Sequence, residues 1–364
     1  MQEESTKLDF FLGSNTPYGF VSLFDEITGL YNDYRSFVIK GGAGTGKSTL
    51  MKKIAKASSD SYLEHIHCSS DPNSLDAVIL PQSKITVLDG TPPHVVEPMY
   101  PGAYETVVNL CDCWDEEKLQ KNRSKIITIS QKISGCHKQC VGLLKAMQSL
   151  LEDNYSLSLQ NTDKDKIKKT VKNIFEREAK HVKGILSCEK RRFLNTVTPK
   201  GLVCYTDTIN TLCNKIYLLK DPYGASSELF MEEMREKLLE KNFEIYTCLS
   251  PFTLKPEHII IPELKLCFVT STPFLPLENI LTPYRIIHFT RFTKSDELKK
   301  KKQRMKFNLR MASELLNESI FAVRKAKTIH DILEEFYKDA IDYDKVNAIS
   351  ESIIKRITHT KGSH

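Results

Sequence analysis

Residues 37–50 read FVIKGGAGTGKSTL: an apolar run at Phe37–Ile39, the spacing GxxxxGK[ST] from Gly41 to Ser48, then residues that favour helix. The reading is strand, loop, helix. Glycines at 41, 42, 44 and 46 let backbone N–H groups curl around an anion without Cβ clashes. The helix that follows aims its positive N-terminus at the same anion. Gly41, Gly42, Ala43, Gly44, Thr45, Gly46, Lys47, Ser48 and Thr49 therefore form a candidate phosphate cradle. In it Lys47 reaches the β- and γ-phosphates and Ser48 offers its hydroxyl to Mg²⁺.

Such a loop needs a carboxylate at the end of a nearby strand to hold the metal's water shell. The run KITVLDG supplies Asp89 after four apolar or β-branched residues. Gly90 follows, so the adjacent glutamate that many ATPases use as general base is missing. Glu97 and His94, in TPPHVVEP just beyond the strand, are the candidates for activating water, weighed against an ordinary loop role.

Outward from this stretch the chain repeats itself. Residues 11–30, FLGSNTPYGFVSLFDEITGL, and residues 193–212, FLNTVTPKGLVCYTDTINTL, are identical at nine positions at an offset of 182, where chance gives about one or two. A second block, Ile79 to Pro92 against Ile260 to Pro273, agrees at 181, and Lys40 and Cys68 match Lys220 and Cys248 at 180. The expectation is a tandem duplication. Residues 1–190 form one phosphate-loop NTPase domain with a helical hairpin at about 115–186. Residues 191–364 form a degenerate copy with a hairpin at about 294–358.

Short apolar runs alternate with helix signals in both halves, which predicts α/β architecture: two parallel-sheet domains with helices on their faces. Ile126, Ile129, Ile133, Cys136, Cys140, Leu143, Met147 and Leu150 are spaced 3-4-3-4-3-4-3, the seam of a long helix against another helix. Met305, Leu309, Ala312, Leu316, Ser319, Val323 and Ala326 repeat that seam. The polar stretch 154–165 is expected to break the first helix, with a return helix to about Leu186; the second return helix is expected at roughly Asp344–Ile357. Aligned without gaps on Lys40 and Lys220, Gly41, Gly46, Lys47 and Ser48 become Asp221, Ser226, Ser227 and Glu228, and at the offset of 181 Asp89 becomes Thr270. Two added carboxylates and a lost lysine repel phosphate, so the second loop is expected to be dead for nucleotide. A pseudo-twofold packing of the halves, as in a dimer, would let Arg291, with Arg285 second, serve as an arginine finger.

Composition sets the outer bounds. With 40% hydrophobic and 27% charged residues the chain is globular, and 52 basic against 46 acidic residues leave a charge of +6, too mild to argue for nucleic acid. No stretch nears the roughly 18 apolar residues of a membrane span, and MQEESTKLDF lacks a signal-peptide pattern. Ten dilute cysteines read as reduced thiols of a cytoplasmic protein. Cys111–Cys113 and Cys136–Cys140 read as packing residues over a zinc site, the basic run 299–304 as a solvated helix face, and His330 with Glu334 as a surface pair.

FFLGSNTPYGF, GGAGTGKST, HCSSDPNSLDAVILPQSKITVLDGTPPHVVEPMYPGAYE and NLCDCWDEEKL together resemble an uncharacterised bacterial family of tandem phosphate-loop ATP-binding proteins, second half degenerate, along essentially the whole chain. The resemblance implies nucleotide binding at Gly41–Thr49. The expected function is a Mg²⁺-dependent ATPase with one site and moving helical arms that offer a protein-binding surface. The alternatives are a small-molecule or nucleotide kinase, for which Arg123 and Arg191–Arg192 are available lid arginines, and a non-hydrolysing switch. Absence of an NKxD motif favours ATP over GTP.

Overall fold

Phe37 and Ile39 point to one face of their strand and Val38 to the other, and all three are fully buried. A strand apolar on both faces needs a layer on each side. The computed structural model describes residues 5–28, 34–179, 184 and 187–359 and supplies both layers. Leu30 of the repeat, residues 1–4 of the N-terminal reading and Leu186 lie outside the described residues.

The first half contributes β1 (Thr6–Phe11), β2 (Gly13–Thr16), β3 (Gly19–Ser22), β4 (Arg35–Lys40), α1 (Lys47–Ala57), β5 (Tyr62–Cys68), β6 (Asp71–Leu80), β7 (Ile85–Asp89), β8 (Glu105–Asn109), α2 (Glu116–Lys121), α3 (Arg123–Gln160) and α4 (Lys164–Glu178). The second contributes β9 (Cys188–Arg192), β10 (Asn195–Thr198), β11 (Gly201–Cys204), α5 (Thr206–Leu212), β12 (Lys215–Lys220), α6 (Ala225–Glu240), β13 (Glu244–Leu249), β14 (Pro256–Ile261), β15 (Leu266–Ser271), β16 (Arg285–His288), α7 (Ser295–Lys338) and α8 (Tyr343–His359). The fold is α/β, with two six-stranded sheets and, among the described residues, eight α-helices. Both sheets are mixed, not all-parallel as expected: the order is β1-β5-β6-β7-β4-β8 in one and β9-β13-β14-β15-β12-β16 in the other. In each, one strand, β6 or β14, runs antiparallel to both neighbours.

The inner faces of the two sheets share one core: Val38, Ile66 and Leu88 pack in the same cluster as Leu218, Cys248 and Val269. Contacts between a residue and its own repeat counterpart mark a pseudo-twofold axis. Phe11 and Phe193 exchange two backbone hydrogen bonds of 2.9 Å, and the Ser14 and Thr196 hydroxyls bond to each other. Beside the axis the counterparts differ. Strand register pairs Leu8 with Glu64 and Lys190 with Tyr246, so Glu64 corresponds to Tyr246 and Phe10 to Arg192. One contact is an ion pair, Arg192 Nη2 to Glu64 Oε2 at 2.9 Å with side chains 4% and 1% exposed. Its mirror contact is a stack of Phe10 on Tyr246, ring centroids 5.2 Å apart. Tyr246 Oη donates to Glu64 Oε1 at 2.8 Å and ties the two contacts together.

The outer faces are closed by exchange. Ile353 and Ile357 of α8 pack with Leu50 and Ile54 of α1 over the first sheet. Ile167, Val171 and Ile174 of α4 pack with Phe230 and Met234 of α6 over the second. Each return helix thus covers the sheet of the other half. The long helices α3 and α7 run antiparallel across the axis, about 57 Å and 66 Å at 1.5 Å per residue. The structure makes them struts between the halves where the sequence suggested outgrowing arms.

Cys140, Leu144 and Met147 meet Ala312, Leu316 and Val323 along their seam. Leu144 is buried where the heptad reading chose Leu143, because a straight helix drifts from a 3.5-residue repeat. The helix also continues through Asn154 to Gln160 where a break was expected. Asn154 Nδ2 donates to the Met305 carbonyl, and Asn308 Nδ2 donates back to Asn154 Oδ1, so the polar residues are paired inside the seam. Described return helices end at Glu178 and His359.

Burial opposes the charge of Glu64, but Arg192, Lys190 and the Tyr246 hydroxyl hold its carboxyl below the usual range. A depressed carboxyl contributes stability above its unfolded pKa of about 4.3, lost as pH falls through the folded value. Arg192→Leu should cost about 3–5 kcal/mol in urea unfolding at neutral pH. The deficit should shrink on acidification, as Glu64 is protonated more readily in the variant; a pH-independent deficit would refute the assignment.

Candidate functional site

Gly46 caps α1 with φ of +83°, a left-handed conformation that L side chains rarely adopt, so a residue with Cβ would be strained there. The loop it closes joins β4 to α1 and lies beside the end of β7, the parallel neighbour of β4. Lys47 Nζ donates to the carbonyls of Gly41 (2.7 Å) and Gly42 (2.6 Å) and stands 3.6 Å from Asp89 Oδ2. Asp89 Oδ1 accepts from the Thr91 N–H and hydroxyl. Burial pushes the Asp89 carboxyl up against the pull of Lys47. Ser48 Oγ accepts the Leu75 N–H at 2.9 Å, Thr45 Oγ1 donates to Gly42 O, Ala43 is half-buried, and Thr49 is exposed on the first turn.

A cover lies over this loop. A Cβ built on Gly42 would meet the Trp114 ring at 2.9 Å and Tyr337 at 3.2 Å, and one on Gly44 would meet Lys338 at 3.2 Å and the Glu334 carbonyl at 3.3 Å. Tyr343 Oη donates to Gly44 O at 3.5 Å. The tip of the second half's helices therefore sits on the first loop. At the other loop Thr162, between α3 and α4, bonds through its hydroxyl to Ser226 at 3.0 Å.

The sequence candidates separate here. Lys47 and Asp89 come together, while Ser48, next in the chain, holds the Leu75 N–H. Glu97 is tied to Lys40 Nζ at 2.7 Å and its side chain is 74% exposed. Arg291 lies exposed beyond β16, its guanidinium over Phe292 at 5.0 Å and its carbonyl accepting from Lys166 of α4. His94 is buried with Nε2 3.0 Å from Asp76 Oδ2. Asp76 is a residue the sequence reading missed. It precedes Ala77, which pairs with Leu88, so it flanks Asp89 across the sheet. Its signal was an acid at the head of an apolar strand, matched by Glu257 in the other half. Lys338 was missed as well, and Glu334 was read only as the partner of His330, since only the run of α7 across the axis brings the two to Gly44.

The second loop is shorter than the gap-free alignment assumed. It spans residues 221–224 against 41–46, and Gly224, at φ of +80°, takes the capping place of Gly46. Ala225, not Ser227, then stands where Lys47 does. Asp221 Oδ2 accepts the N–H groups of Ser226 (3.0 Å) and Ser227 (2.8 Å), placing its own carboxylate at the helix N-terminus.

Among the described residues two groups have metal-ligating atoms close together, Asp9–His65–His67 and Cys68–Asp76–His94, and neither includes the cysteine pairs of the sequence reading. Burial raises the Cys68 thiol well above its ordinary value, so it stays protonated and is a poor ligand. Comparison with family models, with curated proteins and with solved structures gives no match.

Burial disfavours charge on His94, but the Asp76 carboxylate outweighs it and raises the imidazole pKa above 6.5. A raised histidine stabilises the fold below its unfolded pKa, and that contribution is lost as pH rises through the folded value. The His94 Cε1–H resonance should titrate above 6.5, and in Asp76→Asn below it, because burial alone remains. Identical titrations in the two proteins would break the pairing.

Proposed function

We propose that the chain binds ATP with Mg²⁺ at Gly41–Thr49, through one site, and hydrolyses it as a cytoplasmic phosphate-loop NTPase. The observation that carries this reading is the approach of Lys47, the first residue of α1, to Asp89 at the end of β7, 3.6 Å apart. Phosphate oxygens would replace the two loop carbonyls that Lys47 now holds. The Ser48 hydroxyl and Asp89 carboxylate are hard oxygen donors suited to Mg²⁺, which would neutralise phosphate charge when bound. We assign water orientation to Asp76 and His94, since Glu97 is tied to Lys40. We assign the second half's cation to Lys338, close to Gly44, in place of Arg291. That all ten cysteines are free thiols supports a reducing compartment, and no helix among the described residues is long and apolar enough to cross a membrane.

The cover of α7 and α8 on the loop favours a second reading, in which binding displaces that cover and so presents a helical surface to a protein partner. Release of phosphate separates the two readings, and dependence on an acceptor would indicate the kinase.

Trp114, the sole tryptophan, packs against Gly42 and Tyr337 and reports on the loop directly. ATP with Mg²⁺ should change its fluorescence, saturating at one nucleotide per chain because Asp221 occupies the second cradle. Lys47→Ala should weaken binding about ten- to a hundredfold, the worth of a charge-assisted contact. Asp89→Asn should weaken the Mg²⁺ dependence more than the affinity. Unchanged ATP affinity in Lys47→Ala with a normal melting curve would overturn the site.

A further inference from the structure

We propose that the crevice of the second half is a receptor for a small organic cation, an ammonium or guanidinium group carried on an apolar or aromatic body. It does not depend on the reading of the first loop. A cavity of about 290 Å³ opens between the short second loop, the ends of β14 and β15, and α3, close to the smallest sizes of ligand pockets. Strand register places it where the first half keeps its candidate site. His258 pairs with Val269 as Ala77 pairs with Leu88, so Glu257 stands in for Asp76 and Thr270 for Asp89.

The charges of the cavity are acidic. Glu152, Glu228 and Glu257 line it, and the lysine of the first loop has become Ala225. Lys255, the one cation of the lining, is paired with Glu232 at 3.4 Å and its side chain is half exposed. Phosphate is excluded twice, by these acids and by Asp221 on the helix N-terminus. Glu228 is half used, its Oε1 accepting from the Tyr155 hydroxyl at 2.9 Å.

Glu257 is the unsatisfied member. Its side chain is 10% exposed, and its Oε2 is buried with no hydrogen-bond partner. His258 does not neutralise it. The His258 Nδ1 accepts the Thr270 N–H at 3.2 Å, burial drives the ring neutral, and Nε2 lies 3.7 Å away. Burial without a cation pushes the Glu257 carboxyl up to about 7, against the Asn195 side chain, which pulls it down. A buried acid without a cation costs stability that a bound cation recovers. The rings of Tyr18, Tyr155, Tyr223, Phe252 and Phe274 supply the apolar wall and the π faces that favour a cation over a neutral group.

The test is calorimetric titration of the full chain, without nucleotide, near pH 8 so that Glu257 is ionised. The probes share one ring and differ in charge: tyramine, the neutral alcohol 2-(4-hydroxyphenyl)ethanol, and 4-hydroxyphenylacetate. Tyramine should bind, the alcohol about tenfold or more weakly, and the carboxylate least. Glu257→Gln should reduce tyramine affinity about ten- to a hundredfold and leave the alcohol unchanged. Glu228→Gln gives a second reading if the first variant melts early. Failure of tyramine to bind, equal affinity for all three probes, or unchanged tyramine binding in both variants would each overturn the proposal. Because no nucleotide is present, a chain that fails to bind ATP still reports on this cavity.

Discussion

Glu64 and Arg192 meet inside the core that two sheets share, and the rest of the molecule is arranged around that contact. A buried ion pair gains little over a hydrophobic pair, since desolvation offsets its attraction, but losing one partner leaves the other charge stranded. Here the partners belong to different sheets, one on β5 and one on β9. Separating the halves would expose both charges' apolar surroundings and both inner sheet faces at once. The outer faces add the same constraint, because α4 and α8 each cover the sheet that the other half built. Neither half retains a complete set of layers alone.

Within that symmetric frame the chemistry is asymmetric. A true homodimer must place the same residue on both sides of its axis. Joining the copies in one chain removes the restriction, so Glu64 can face Arg192 on one side of the axis while Tyr246 stacks on Phe10 on the other. The loops diverge in the same way. One keeps a lysine at the helix start and a strand-end aspartate. The other loses two residues, drops the lysine, and turns its own Asp221 onto the freed N–H groups.

Much of the frame was legible because it rests on local patterns. The apolar runs gave most of the sheet strands and β4's place before the loop, and the matching offsets anticipated that the second half would repeat the parts of the first. The sense of β6 and β14 was not legible, since a short apolar run carries no direction. Nor was the exchange of return helices: the stripe Ile353–Ile357 records that a face is buried, not which sheet buries it. The polar stretch from Asn154 misled because polar residues in a seam read as a break until a partner such as Asn308 is known. Asp76 had a sequence signal in its match to Glu257, hidden because Asp89 already supplied the expected carboxylate. Glu97 drew attention by position, yet Lys40 had a prior claim on it.

The struts give the two crevices a physical route to each other. α7 ends at Lys338, over Gly44, and α3 carries Tyr155 to Glu228 in the other crevice. Between those ends the helices are locked by an apolar seam and by the Asn154–Asn308 pair, with Arg304 bonded to Asp153 beside it. On the proposed reading, phosphates entering the first loop would take Lys47 from the carbonyls it holds and would need the space that Glu334 and Lys338 cover, so α7 would have to yield. A packed seam of this kind shifts as a unit more readily than it deforms side chain by side chain. A displacement of α7 would therefore carry α3, and with it the tyrosine wall of the second crevice. Whatever free energy couples an occupant of one crevice to an occupant of the other must act with equal size in both directions. A cation that fixes Tyr155 and Glu228 would fix the cover on the first loop, and a nucleotide that lifts the cover would loosen the cation.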